Sequence, residues 1–444
     1  MLDSFKPPVV MVHSVSEIEK YAAWILGMVV AVAVFFQVHV SLSGGLVNLN
    51  LADPFAILAL AAVSLHVLFA RQLPRWRIRQ FNLALVVISL LLLLGFMHGW
   101  LEIGITQWAL GGRLLGWLVL LGYLSAGYVI VANVGTHGLR RFAETLIATA
   151  AVIVMLQVIL RLLYHWGVET GAHLTPQFQG YAGNRNAFAF QLLASMALLL
   201  GYSQVYARHS IGMQRPARPW IFSLLMGILL AGLVWTGSRT GVIVGVIVLL
   251  LAWFGRLADR RMLGWGLIFA TLFWSGVWLM TLKDLVQGIL SGNFLFYENI
   301  FLPSALHGSI PLTYSRVASS DEHWQTMVRG LELWLHSPVL GVGLGVFIAK
   351  SPMWLGYPQV IHSTPLWILA EFGLVGAAVF GWAFLLLVRH AIRFGRTQPA
   401  RRILLLLLVS FATFSLVHEI LYQRIFWLVL GAVLARPFAT RMRA

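Results

Sequence analysis

Runs of about twenty mostly apolar residues recur twelve times along this 444-residue chain, and that repetition leaves few ways to fold. They lie near 21–41, 54–70, 82–101, 111–134, 143–164, 186–206, 219–236, 240–256, 263–283, 362–388, 402–418 and 423–436. A helix crosses the hydrocarbon of a bilayer with about 20 such residues, because each backbone N–H and C=O must find its partner within the segment. Membrane-spanning strands would alternate apolar and polar positions, and the runs Leu83 to Phe96 and Ile403 to Val409 do not. A hydrophobic content of 59%, only 10% charged residues and a mean hydropathy of +0.84 exclude an ordinary soluble domain. The expectation is an all-α polytopic membrane protein with about twelve transmembrane helices. The polar residues 1–20 and the length of the first apolar run argue against a cleavable signal peptide. The absence of cysteine excludes disulfides, thiolate catalysis and cysteine metal sites.

The net charge of +16 invites a nucleic-acid reading, but its distribution fits a membrane topology instead. With the N-terminus and every second loop assigned to one side, that side holds 22 of the 31 lysines and arginines. The other side holds Arg113, Arg185, Arg239, Lys283, Arg316, Arg329, Lys350 and Arg424, and Arg161 falls inside a span. Positive loops stay in the cytoplasm, so both termini are expected there. The inner basic loops would also meet anionic membrane lipids. Residues 1–283 then carry spans one to nine, 284–361 form a long outer loop, and 362–444 carry spans ten to twelve. No nucleic acid is expected as a partner.

The outer loop carries its own helix signal. Ser320 is placed to cap a helix whose first turn holds Asp321 and Glu322. Trp324, Met327, Val328, Leu331, Trp334 and Leu335 follow at helical spacing and Pro338 ends the run, which predicts an amphipathic helix packed on the membrane domain. Gly341-Val342-Gly343-Leu344-Gly345 follows, without the strand and helix that a dinucleotide site requires, and reads as a flexible turn.

The polar residues of the outer side form a candidate site. Gly183-Asn184-Arg185-Asn186 immediately precedes span six, with Asn186 as its expected cap, so a helix N-terminus suited to anions lies beside Arg185. Arg239, flanked by Ser238 and Thr240 in the turn between spans seven and eight, is a positive charge on the face that should carry few. It reads either as a snorkelling residue or as an anion contact. Arg316 precedes the loop helix. Arg329 stands three residues before Glu332, the spacing of a surface ion pair, and is also carried as a candidate substrate contact. In His362-Ser363-Thr364-Pro365, Thr364 is the expected N-cap and Pro365 the first helical residue of span ten. His362 would then sit where the helix dipole keeps imidazole neutral and able to accept a proton. The other thirteen histidines show no comparable setting, and His98, His165 and His418 read as structural.

Arginine's planar fork suits phosphate oxygens. The outer carboxylates are sparse and form no Asp-x-Asp pair, so the arginines would stand where a divalent metal otherwise holds phosphates; neither metal nor cofactor is expected. A sugar leaving from a lipid diphosphate needs charge stabilisation more than a general acid, and the attacking hydroxyl needs a base. One histidine and an arginine clamp suffice for a single inverting displacement.

In order and spacing these pieces resemble the O-antigen ligase family (WaaL-type), within the group of O-antigen ligases and polymerases. The resemblance rests on Gly183-Asn184-Arg185-Asn186, Ser238-Arg239, Arg316, the stretch from Trp334-Leu335-His336-Ser337-Pro338 to Gly341-Val342-Gly343-Leu344-Gly345, and His362-Ser363-Thr364-Pro365-Leu366 leading into Glu371-Phe372-Gly373. It implies a GT-C-like glycosyltransferase, multi-pass in the Gram-negative inner membrane, with 284–361 as a periplasmic loop. Such an enzyme moves O-antigen from undecaprenyl diphosphate to a sugar of lipid A-core on the periplasmic face, without metal. The family's arginines and histidine map by motif onto Arg239, Arg316 and His362 as catalytic residues. Arg185, Asn184, Asn186, Ser238 and Arg329 are the accompanying binding candidates. Many relatives carry His-Asn where this chain has His362-Ser363, so one amide contact does not transfer. A polymerase or a protein O-oligosaccharyltransferase would share the fold, whereas a transporter of anionic lipid would require internal repeats and charges at the bilayer midplane.

Overall fold

The computed structural model describes residues 17–42, 45–165, 168, 178–208, 219–290, 312–393 and 398–437. Each of the twelve apolar runs contains a helix: α1 (Glu17–Ala33), α2 (Asp53–Ala70), α3 (Phe81–Ile103), α4 (Gly116–Val134), α5 (Thr136–His165), α6 (Arg185–Arg208), α7 (Pro219–Trp235), α8 (Arg239–Phe254), α9 (Arg260–Leu290), α13 (Thr364–Arg393), α14 (Pro399–Ser415) and α15 (Arg424–Leu434). A π-helical stretch, Trp108–Leu115, leads directly into α4. Among the described residues, six helices are by themselves long and apolar enough to cross a membrane, and four apolar helices are shorter. The chain is a multi-pass, predominantly helical membrane protein.

One segment departs from helix. Residues 37–41, expected at the end of the first span, instead belong to a strand, β1 (Gln37–Leu42), paired antiparallel with β2 (Gly45–Asn50), Val38 facing Leu49. The reason is legible in the order of residues: Gln37, His39 and Ser41 alternate with Val38, Val40 and Leu42, a period of two that a helix cannot present to one face. The hairpin is tied to the bundle where the Gln37 N–H donates to the Tyr181 carbonyl at 2.9 Å.

Helix α6 is the hub. Every residue from Ala187 to Ser203 is buried, as expected of a helix apolar around its whole circumference. It packs against α5, α7, α8 and α14, while α2 and α15 flank α4. Its N-terminus is therefore held rigidly at one end of the bundle.

Within 284–361, the described residues hold more helix than the sequence suggests. Helix α10 (Leu312–His336) begins eight residues before the expected cap at Ser320, directly after Pro311; no glycine or proline interrupts Leu312–Ser319. Its packed face is also rotated from the expected one. Thr326, Gly330 and Leu333 are buried against the bundle, whereas Trp324, Leu331 and Leu335 of the predicted stripe are exposed. Helix α10 packs on α13, with Gly330 against Ile361 and Leu366. Two short helices, α11 (Val346–Lys350) and α12 (Pro352–Leu355), follow α10.

The glycine-rich stretch is a pinned structure rather than a flexible turn. Helix α13 breaks at Gly373 (φ 63°, ψ −158°), which strips carbonyls 370 and 371 and amides 374 and 375 of their helical partners. Residues 338–343 supply all four. Val342 and Gly343 donate to the carbonyls of Ala370 (2.9 Å) and Glu371 (3.1 Å), while Leu374 and Val375 donate to Pro338 (2.8 Å) and Val339 (3.1 Å). Gly341 (φ 73°) abuts the backbone of Phe372, where any β-carbon would collide. Broken backbone at membrane depth is tolerated only when answered within the protein.

Candidate active site

The N-termini of α6 and α8 meet through side chains. Asn184, not Asn186, caps α6: its Oδ1 accepts the Asn186 amide (2.7 Å) and its carbonyl the Phe188 amide (3.0 Å). Asn186 is thereby freed for a tertiary contact, accepting the Ser238 hydroxyl at 2.7 Å. Ser238 is buried and caps α8, its Oγ accepting the Gly241 amide at 3.1 Å. The side chain of Arg239, the first residue of α8, is left exposed at that helix mouth. Two helix dipoles and two arginines, Arg185 and Arg239, thus begin side by side.

The third N-terminus is that of α13. Ser363 caps it, one residue before the expected position, with its carbonyl accepting the Trp367 amide at 2.8 Å. Thr364 is thereby released to clasp the α14–α15 connection: its hydroxyl donates to the His418 carbonyl (3.2 Å) and accepts the Ile420 amide (3.0 Å). That clasp brings His418 beside His362. The rings of His323 and His362 stack, 3.7 Å between centroids and 4° between planes, and His323 meets His418 edge-on at 5.8 Å and 88°. His418 Nε2 lies 3.2 Å from the hydroxyl of Thr240, the residue after Arg239. Helices α8, α10 and α13 and the α14–α15 connection therefore share one histidine cluster.

Burial sets the charge of this cluster. Desolvation first, and then the adjacent His323, push the His362 imidazole down to about 4. His418 is pushed to about 3 by burial and by the charges of His323, His362 and Arg185. His323 is lowered by burial and by Arg185, with Glu322 opposing. All three rings are thereby held neutral at physiological pH, His362 by burial and its neighbour rather than by the helix mouth. The effect of Arg185 on His323 and His418 places its charge at the same end of the site.

Ion pairing sorts the remaining cations. Arg113 is bound to Glu419 Oε2 through both terminal nitrogens (3.0 and 3.1 Å) and lies against the rings of Trp108, Tyr422 and Trp367. Arg424 grips Asp53 (2.7 and 2.9 Å), Lys350 pairs with Glu102 (3.2 Å), and Arg329 pairs with Glu332 (2.7 Å) on the exposed side of α10. Arg239 has no ion pair with a described residue. The backbone of Arg316 lies within α10 rather than ahead of it, seven residues and thus about two turns before His323; its side chain is outside the described residues.

The structure thus brings Asn184, Arg185, Asn186, Ser238, Arg239 and His362 to one end of the bundle and leaves Arg329 in a surface pair. His323 and His418 were missed by sequence reasoning, which took Thr240 only as a neighbour of Arg239 and Thr364 only as a helix cap. His418, expected to be structural, belongs to the cluster because a threonine 54 residues away holds its backbone. His323 carried a weak signal: it lies three and seven positions before Thr326 and Gly330, on the small-residue face of the loop helix. Among the described residues no three His, Asp or Glu side chains converge in a metal-holding arrangement; the histidines meet through faces and edges. Residues 224–381 match a family model described as O-antigen ligase. No curated protein matches the chain.

Proposed function

From a chain that carries an O-antigen ligase family domain over residues 224–381, we propose an inverting, metal-independent glycosyltransferase of lipopolysaccharide assembly. It transfers O-antigen from undecaprenyl diphosphate to a sugar hydroxyl of lipid A-core, at the periplasmic face of the Gram-negative inner membrane. The twelve helices are its spans, GT-C-like in arrangement, with both termini cytoplasmic and 284–361 on the periplasmic side. One observation carries this reading: Arg239, exposed and without an ion pair among the described residues, begins a helix one residue from Thr240, which touches the cluster containing His362.

The chemistry follows from that placement. His362 takes the proton of the acceptor hydroxyl, whose oxygen forms the new bond to the anomeric carbon. The bond from that carbon to the phosphate oxygen breaks, and the diphosphate leaves with the electron pair. Arg239 and Arg316, with Arg185 and the α6 and α8 N-termini, hold the diphosphate as its charge grows. A base near 4 stays unprotonated throughout the neutral range but pulls weakly, which places most of the demand on leaving-group stabilisation.

The test is reconstitution in proteoliposomes with undecaprenyl diphosphate-linked O-antigen and purified lipid A-core, with EDTA present. Glycan-bearing lipid A-core is expected, and His362→Ala should abolish it. Elongated lipid-linked glycan in its place would reassign the protein as a polymerase. Undiminished transfer by His362→Ala would remove the base, and loss of transfer in EDTA would remove the metal-free mechanism.

A further inference from the structure

We infer that His323 is a positioning residue, its ring fixing the plane of the His362 imidazole on which the proposed transfer depends. General bases are ordinarily oriented by a hydrogen bond to a third group. Among the described residues, no hydrogen bond holds the ring of His362. What holds it is a face: the His323 ring, parallel within 4° at 3.7 Å. Stacking engages the ring face and leaves the nitrogens, which lie in the ring plane, outside the contact; in the neutral ring one of them is a proton acceptor.

His323 is itself wedged. Its other neighbour in the cluster, His418, is fixed at the ring by Thr240 and at the backbone by Thr364. Its own carbonyl accepts the hydroxyl of buried Thr326 at 2.8 Å. Gly330 on the same face lets α10 settle against Ile361, the residue before His362. The loop helix thereby sets the angle of the base, which gives a packed, ordered outer helix a direct part in the reaction. The charged and titratable groups around the stack are Glu322 and His323 on α10, His418 on the α14–α15 connection, and Arg185 on α6.

The inference rests on the transferase reading, and its test separates the two. His323→Phe keeps a flat ring without nitrogens, whereas His323→Ala removes the platform. In the proteoliposome assay, His323→Phe should keep kcat within about threefold of wild type. His323→Ala should lose about tenfold or more in kcat with KM little changed. With the neighbouring charge gone, carbon-13 histidine NMR should show His362 taking up its proton at higher pH in both variants. The inference is overturned if His323→Phe is as inactive as His323→Ala, which would mean a ring nitrogen is required. It is equally overturned if both variants transfer like wild type, or if the His362 titration is unmoved in both. A folded wild-type protein that transfers nothing sinks the transferase reading and the inference together, while an unmoved titration beside an active wild type sinks the inference alone.

Discussion

Two arginines at the same end of this bundle lead opposite lives. Arg424 opens α15 with its fork closed on Asp53, and Asp53 is answered again by the Tyr123 hydroxyl (2.8 Å) and the Asn50 amide (2.8 Å). Arg239 opens α8 with its side chain exposed and no carboxylate among the described residues to meet it. Both stand at helix N-termini, where the dipole opposes positive charge. Where a carboxylate repays that cost within the protein, the arginine is a strut; where none does, the charge stays available for an anion from outside. Position along the sequence says nothing of the difference, and partners decide it.

The largest effect should come from breaking the closed region. Arg424→Ala leaves Asp53, whose side chain is 8% exposed, as a buried carboxylate without its cation. Removing one partner of such a pair costs about 3–5 kcal/mol. Thermal unfolding in detergent should show a large fall in Tm, and the comparison fails if the melt is unchanged. Arg239→Ala should do the reverse: transfer falls about 100-fold or more, roughly 2.7 kcal/mol in the barrier, at an unchanged Tm. Arg239→Lys should fall between, since an ammonium keeps the charge but loses the planar fork. Full transfer by Arg239→Ala would make the residue a mere interfacial anchor.

How far the sequence foresaw this depends on the range of the interaction. Helices were legible because apolar runs are local, and the turn holding Arg239 was legible because it falls between two of those runs. The β-hairpin was missed, although Gln37, His39 and Ser41 announce a period of two, because apolarity alone extended the first run through it. The pinned loop was not legible: that Gly341-Val342-Gly343 would answer a break at Gly373 depends on backbone partners some 30 residues away. The histidine cluster was legible only in part. His362 lies beside a cap signal, but His418 joins it through Thr364 and Thr240, contacts that no local pattern encodes.

The open region should also announce itself in the pH dependence of stability. Unfolded histidine binds its proton near 6.5, whereas His362 and His418 bind theirs at about 4 and about 3 in the fold. Between those values the unfolded chain holds more protons, so stability rises with pH there. The fold is most stable above about 6.5 and loses that contribution as pH falls toward 4. A Tm series from pH 8 to pH 4 should show the decline, and His418→Gln, which keeps a side-chain partner for Thr240 without titrating, should make it shallower. An equally steep decline in that variant would place the titrating groups elsewhere.

The smallest effect belongs to a third arginine that tests the sorting rule itself. Arg329 shares α10 with His323 and was carried as a substrate contact, yet it pairs with Glu332 at 2.7 Å on a surface where the two side chains are 44% and 46% exposed. Its guanidinium lies 5.9 Å from the Trp354 ring, a weak second hold. Exposed pairs of this kind contribute about 0–1 kcal/mol, because water screens the charges and two long side chains lose freedom to hold one geometry. Arg329→Ala should therefore shift Tm by no more than a few degrees and leave transfer within about twofold of wild type. If it instead loses transfer as Arg239→Ala does, an ion pair within the protein does not mark an arginine as structural. The contrast between Arg424 and Arg239 would then owe nothing to Asp53.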